Sequence, residues 1–170
     1  MQLIFVSILL ISAIIFIYVA VNDFLTWKIK NIYVYVLISL FFIYYTLASF
    51  AGSDAPWQPS LWSALAACVL LFTIGFTLWA FKLLGAGDAK LLAPIGLFIG
   101  WSNLVAYSVF LLLLAVFASV ALKFPVPFPI KMTRIGMRLV EIRETSKVPY
   151  GVLMVGALFA TILHNHAGLF

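Results

Sequence analysis

From its first residue onward, the chain alternates between long stretches with no charged side chain and short stretches that hold the charges. Five uncharged runs stand out: Met1–Asn22, Asn31–Ser53, Ala55–Phe81, Leu91–Leu122 and Val148–Phe170. None alternates apolar with polar residues as a membrane β-strand does, so a bilayer barrel is excluded. Each can supply the roughly 20 apolar residues that a spanning helix needs. The pattern predicts an all-α polytopic membrane protein. Four runs read as one helix each. Leu91–Leu122, with 32 residues, is long for one crossing and short for two. As a single rod it would reach about 48 Å, against a hydrocarbon core of about 30 Å.

Charge decides the count. The ten basic residues are Lys28, Lys30, Lys82, Lys90, Lys123, Lys131, Arg134, Arg138, Arg143 and Lys147. If Leu91–Leu122 crosses twice, all of them fall on one side, as the positive-inside rule requires. About six transmembrane helices are therefore expected. The break falls at Gly100-Trp101-Ser102-Asn103, where glycine and short polar side chains permit a turn. The fourth helix, near 88–101, is then short. Both termini and the loop 51–60 lie outside the cytoplasm, with Trp57, Trp62 and Trp101 at the outer interface and Trp27 and Trp79 at the inner one. The first run lacks a basic n-region and exceeds a signal-peptide h-region, so it reads as a retained first helix.

Composition agrees. Hydrophobic residues make up 66% of the 170 and charged residues 9%, against about a quarter charged in soluble domains. The formal net charge of +5 brackets membrane spans rather than forming a nucleic-acid surface, so the bilayer is the expected partner and nucleic acid is not. Residues 1–170 read as a single integral-membrane domain with one longer cytoplasmic loop, 123–148. Within that loop Met132, Ile135, Leu139 and Ile142 keep helical spacing among basic residues. This suits an amphipathic helix on the inner leaflet, or a docking surface for a substrate or partner.

Candidate chemistry lies in five acidic residues: Asp23, Asp54, Asp88, Glu141 and Glu144. Asp54 falls in an outer loop, and the glutamates have basic neighbours. Asp23 closes the first helix and Asp88 opens the fourth, both at the cytoplasmic boundary, where an ionisable group suggests function. Two nearby carboxylates share a proton, so one can draw a proton from water while the other polarises a peptide carbonyl. Simpler readings are an interfacial Asp23 pairing with Lys28 and an Asp88 that caps its helix. Gly85-Ala86-Gly87-Asp88 favours the catalytic reading, because glycines let an extended peptide approach the carboxylate. Lys90 would favour an ionised state if its ammonium reached the site.

At these residues the chain resembles the type IV prepilin peptidases, a family of Gly-x-Gly-Asp membrane aspartic proteases. The stretch Gly85-Ala86-Gly87-Asp88-Ala89-Lys90-Leu91-Leu92-Ala93, with Gly96 and Gly100-Trp101, is similar to that family's second catalytic motif. Asp23 with Ile29-Lys30-Asn31 resembles the first, with Lys30 where proline is common. Pro149-Tyr150-Gly151 resembles a third shared element. The resemblance implies catalytic Asp23 and Asp88, with Gly85, Gly87, Lys90, Pro149, Tyr150 and Gly151 shaping the site and substrate approach. It also implies a multi-pass protein of the bacterial cytoplasmic membrane that cleaves the leaders of prepilins or pseudopilins at the cytoplasmic face, alongside the pilus assembly machinery. Larger members carry an inserted domain with paired cysteines and also N-methylate the product. Only a short basic link joins the first two runs here, so the chain looks like the compact branch serving Flp-type (tight-adherence) pili, without methyltransferase activity.

No cofactor is expected. The single cysteine, Cys68, excludes an internal disulfide and reads as a small buried apolar residue. His164 and His166, two apart, do not share a helical face and suggest no metal site. Two alternatives stand: a Gly-x-Gly-Asp protease acting on preflagellin-like or transmembrane substrates, and a small transporter or assembly scaffold using the aspartates to bind a cation.

Overall fold

A computed structural model describes residues 2–51, 57, 60–123, 137, 140–142 and 148–166. Its principal helices are α1 (Gln2–Thr26), α2 (Asn31–Ala51), α3 (Leu61–Ala80), α4 (Ala86–Ile99), α5 (Leu104–Ala121) and α6 (Tyr150–His166). No strand occurs among the described residues. The predicted all-α class holds. The expected amphipathic segment 131–147 falls almost wholly outside the described residues, as does Asp54.

Four helical segments are long and apolar enough to cross a bilayer: Gln2–Thr26, Asn31–Ala51, Leu61–Ala80 and Trp101–Ala121. The other two are shorter. At 1.5 Å per residue, the 14 residues of α4 rise about 21 Å and the 17 of α6 about 26 Å. Large apolar side chains face outward all round the molecule, among them Leu3, Ile14, Phe50, Trp62, Val105 and Phe117. Such a surface suits lipid and would not stay dispersed in water.

The long apolar run breaks where glycine allows it. Gly100 ends α4 with φ +67°, a left-handed value that residues with a Cβ adopt at a cost. A single 3₁₀ turn, Trp101–Asn103, follows before α5. Ser63 Oγ accepts the Trp101 N–H at 2.8 Å, and the Asn103 side-chain amide donates to the Ile99 carbonyl at 2.8 Å. These bonds satisfy backbone groups that the turn would otherwise leave unpaired.

Helix α4 is the centre of the fold. It packs along α3, with further contacts to α2 and α6, while α1 rests on α2 and α6 and α5 rests on α6. Eight of the eleven residues from Ala89 to Ile99 are buried, unlike α1, α2 and α3, which bury one stripe each. In lipid, helices gain little by hiding apolar surface from one another, so close backbone packing through small residues carries the association. The α3 stripe is Ala64, Ala67, Leu71 and Gly75. A Cβ on Gly96 would lie 2.6 Å from the Cys68 Cα, and one on Gly75 would lie 3.1 Å from the Ala89 Cα. The two helices thus touch backbone to backbone near both ends.

The far end of the bundle is fastened by aromatic rings. The Tyr44 hydroxyl donates to the Trp57 carbonyl at 2.8 Å and accepts the Trp57 N–H at 3.1 Å. Trp57 in turn stacks on Phe98 of α4, with ring centroids 6.1 Å apart.

Gly96→Ala should destabilise the protein by about 1–3 kcal/mol, because the added methyl meets backbone that cannot yield locally. Gly156→Ala, whose Cβ meets only the tip of Leu114 at 3.2 Å, should cost less than about 1 kcal/mol. Thermal unfolding in detergent compares the two. A Gly96→Ala protein as stable as Gly156→Ala would show that α3 and α4 are not in backbone contact.

Candidate active site

The inward stripe of α1 runs Phe5, Ile8, Ser12, Phe16, Val19, Ala20 and Asp23. The helical period that buries Phe16 therefore also turns the Asp23 carboxyl inward, and only 5% of the residue is exposed. The helix continues past it to Thr26, so Asp23 lies in the last turn and not at the very end. Trp27 then stops the helix at φ +56°, its N–H donating to the Asp23 carbonyl at 2.9 Å. Glycine is the usual residue for this left-handed stop. A bulky side chain there costs about 1–2 kcal/mol.

The link from α1 to α2 folds back over the start of α4. The Asn22 side-chain amide donates to the Lys28 carbonyl at 2.8 Å. Ile29 then lies so close to Gly87 that a Cβ on the glycine would be 3.1 Å from the isoleucine Cβ. At the other edge the Lys90 ammonium donates to the Asn31 side-chain carbonyl at 3.1 Å. Lys90 thus ties α4 to the first residue of α2, a role the sequence reading did not foresee.

Asp88 is half-buried in the first turn of α4. The residue that caps this helix is Gly85, in extended conformation, so Asp88 is not the N-cap. Its carboxyl instead lies back against Gly85, on the side where the third residue of a capping box sits. A Cβ on Gly85 would fall 2.8 Å from Asp88 Oδ2. A side chain at this position would therefore push the Asp88 carboxyl aside.

These contacts open a cleft of about 620 Å³. One wall is Asp23 and the stretch Trp27–Asn31; the other is Gly85–Asp88 with Lys90. Asp23 and Asp88, 65 residues apart in sequence, line the same space, and the charge of Asp23 reaches Asp88. Ile29 and Asn31, which stood in the first motif without a role of their own, line the cleft, as does Trp27, which the sequence reading did not place at the site; the turn that follows Asp23 was the available signal. Pro149 accepts the Val152 N–H at 3.2 Å, beginning α6. Gly151 donates its N–H to Asp23 Oδ2 at 3.0 Å. Three helix ends therefore meet at the two carboxylates. Cys68 faces Gly96 in the α3–α4 contact, and His164 packs edge to face on Phe110.

The family model described as the type IV leader peptidase family matches residues 10–124, a span that holds both aspartates and the glycines of 85–87. The chain belongs to this family. No curated protein and no solved structure matches it. Membership makes the chain a peptidase, and its apolar helices make it a membrane protein. Helix α6, which supplies the Gly151 donor, lies beyond the matched residues.

Cysteines replacing the two acids of this cleft will be near each other. Asp23→Cys with Asp88→Cys, in a Cys68→Ala background, should be joined by a short bifunctional thiol reagent in isolated membranes. Leu3→Cys with Asp88→Cys should not, since residue 3 lies about 30 Å up α1 from residue 23. Equal yields from the two pairs, read as a mobility shift, would refute the cleft.

Proposed function

We propose that this peptidase is an aspartic endopeptidase that removes the leader of Flp-type prepilins or pseudopilins at the cytoplasmic face of the bacterial inner membrane. The observation that carries the proposal is that Asp23 and Asp88 line one cleft. No Ser-His-Asp arrangement is evident in the sequence. In this reading the two carboxyls hold a single proton between them. The ionised member takes a proton from a water molecule, whose oxygen attacks the scissile carbonyl carbon. The protonated member donates to the carbonyl oxygen as the tetrahedral intermediate forms. Collapse of that intermediate breaks the C–N bond, and the leaving amine takes up a proton from the dyad. The proton is a property of the pair, so neither acid is assigned a separate titration.

Gly85, exposed beside Asp88, leaves the backbone open there, which suits an extended peptide, while Gly87 makes room for Ile29. Lys28, Lys30 and Lys90 on the cleft border keep this end of the bundle in the cytoplasm under the positive-inside rule. Six crossings follow, with α4 and α6 short, the bilayer thinned beside them, and both termini outside. With only residues 27–30 between α1 and α2, there is no inserted domain at that link to carry a methyltransferase, and the product keeps an unmethylated N-terminus. The partners are the prepilin, the pilus assembly machinery and the lipid bilayer.

Purified protein and a Flp-type prepilin test the dyad. Asp23→Asn and Asp88→Asn should each insert normally and lose about 10³-fold or more in kcat, since each removes a proton-transfer group. Substantial cleavage by either variant would sink the dyad. The native pH–rate profile should be bell-shaped: at low pH both acids are protonated and no base remains, and at high pH both are ionised and no acid remains. A profile that rises to a plateau would point to a single titrating group. For the topology, a membrane-impermeant amine reagent should leave Lys131 unlabelled from outside; labelling there would refute six spans.

A further inference from the structure

We propose that the backbone N–H of Gly151, presented by the first turn of α6, sets the orientation of the Asp23 carboxyl, which makes Gly151 a positioning residue of the dyad. The inference rests on the dyad reading above and deepens it. The N–H lies 3.0 Å from Asp23 Oδ2, and both residues are buried. The torsion that turns an aspartate carboxyl is broad and two-fold, so packing alone sets it poorly. A directed N–H on one oxygen narrows it. This donor stands in the first turn of its helix, where an N–H has no partner within the helix, so α6 gives up none of its own bonds to supply it.

Space at Gly151 points the same way. A Cβ there would lie 2.7 Å from Asp23 Oδ2, 3.0 Å from its Cγ and 3.1 Å from its Cβ. The three nearest atoms all belong to Asp23, so the glycine is a cradle for that side chain. Gly151 does not line the cleft, so it acts on the reaction through the aspartate and not by touching substrate. It also lies outside the residues matched by the family model. The family match therefore does not account for this contact.

Two full-length variants separate the donor from the bulk. An amide-to-ester exchange at residue 151, made by translation with glycolic acid, removes the N–H and adds no atom. Gly151→Ala keeps the N–H and drives a methyl into the carboxyl. With a Flp-type prepilin as substrate, the ester should lower kcat about tenfold, the loss of one hydrogen bond to the reacting group. Gly151→Ala should lower it about 100-fold, since a misplaced reacting group costs that much. In both, KM should stay within about twofold of native, because remote substrate binding is untouched, and the unfolding midpoint in detergent should match that of Gly156→Ala. A native kcat in the ester variant overturns the proposal, and so does a kcat loss accompanied by an equal rise in KM. Asp23→Asn and Asp88→Asn run beside them. If these cleave prepilin, the dyad itself has failed; if they are inactive while the ester is fully active, only the role of Gly151 has failed.

Discussion

A carboxyl group on the inward stripe of an apolar helix must find hydrogen-bond donors, since an unmet polar group away from water costs energy in either protonation state. Asp23 imposes this demand, and the geometry of the site follows from meeting it. The first turn of α6 comes close enough to deliver the Gly151 N–H. That approach leaves no room for a side chain at position 151. The link after α1 must leave the carboxyl open to the cleft, and the left-handed stop at Trp27 turns the chain away at once. Ile29 then seats on Gly87, bringing the start of α4, and Asp88 with it, to the opposite wall.

The second constraint is that Asp88 must keep its place while the cleft stays open beside it. Helix α4 is surrounded by α2, α3 and α6 and held to α3 through glycine contacts near both ends. Its far end is stacked on Trp57, and its near end is tied to α2 through Lys90 and Asn31. An element fixed at both ends is a rigid mount for a reacting group, as a catalytic constellation needs. At 14 residues it is also shorter than α3, with 20. The short helix and the exposed Gly85 before Asp88 leave the cleft between it and the α1–α2 link.

Much of this was legible in the sequence, and for identifiable reasons. Lipid-facing helices announce themselves by length and lack of charge, and the break at Gly100 by a glycine with short polar neighbours inside an overlong run. The two aspartates stood out because so few acids exist and both lie at span boundaries. What escaped were contacts whose signal is not a side-chain type. The Gly151 donor is a backbone N–H, which every residue but proline carries, so only the fold shows which one meets Asp23. Trp27 in a left-handed stop contradicts the usual preference for glycine, as Lys82 does after α3, so no glycine marked the turn that opens the cleft. Lys90 could be placed near Asp88 by counting. That its ammonium would engage Asn31 depended on where α2 begins.

Magnitudes indicate which interaction sustains the proposed single-proton dyad. Such a pair carries one net negative charge in a partly dry site, and desolvation of a charge costs several kcal/mol. Both acids lie against helix N-termini, Asp88 in the first turn of α4 and Asp23 at the first turn of α6. Each macrodipole favours negative charge by about 0.3–1 kcal/mol, and up to about 2 where partly buried. Two such dipoles offset part of the desolvation cost. A hydrogen bond to a charged group contributes about 1.5–3 kcal/mol, and the Gly151 N–H supplies one to Asp23. The dipoles and the Gly151 donor are thus of similar size, and together they offset much of that cost. The glycines at 85 and 151 therefore serve one purpose twice: each lets a helix start close enough to a carboxyl for its backbone to hold the charge.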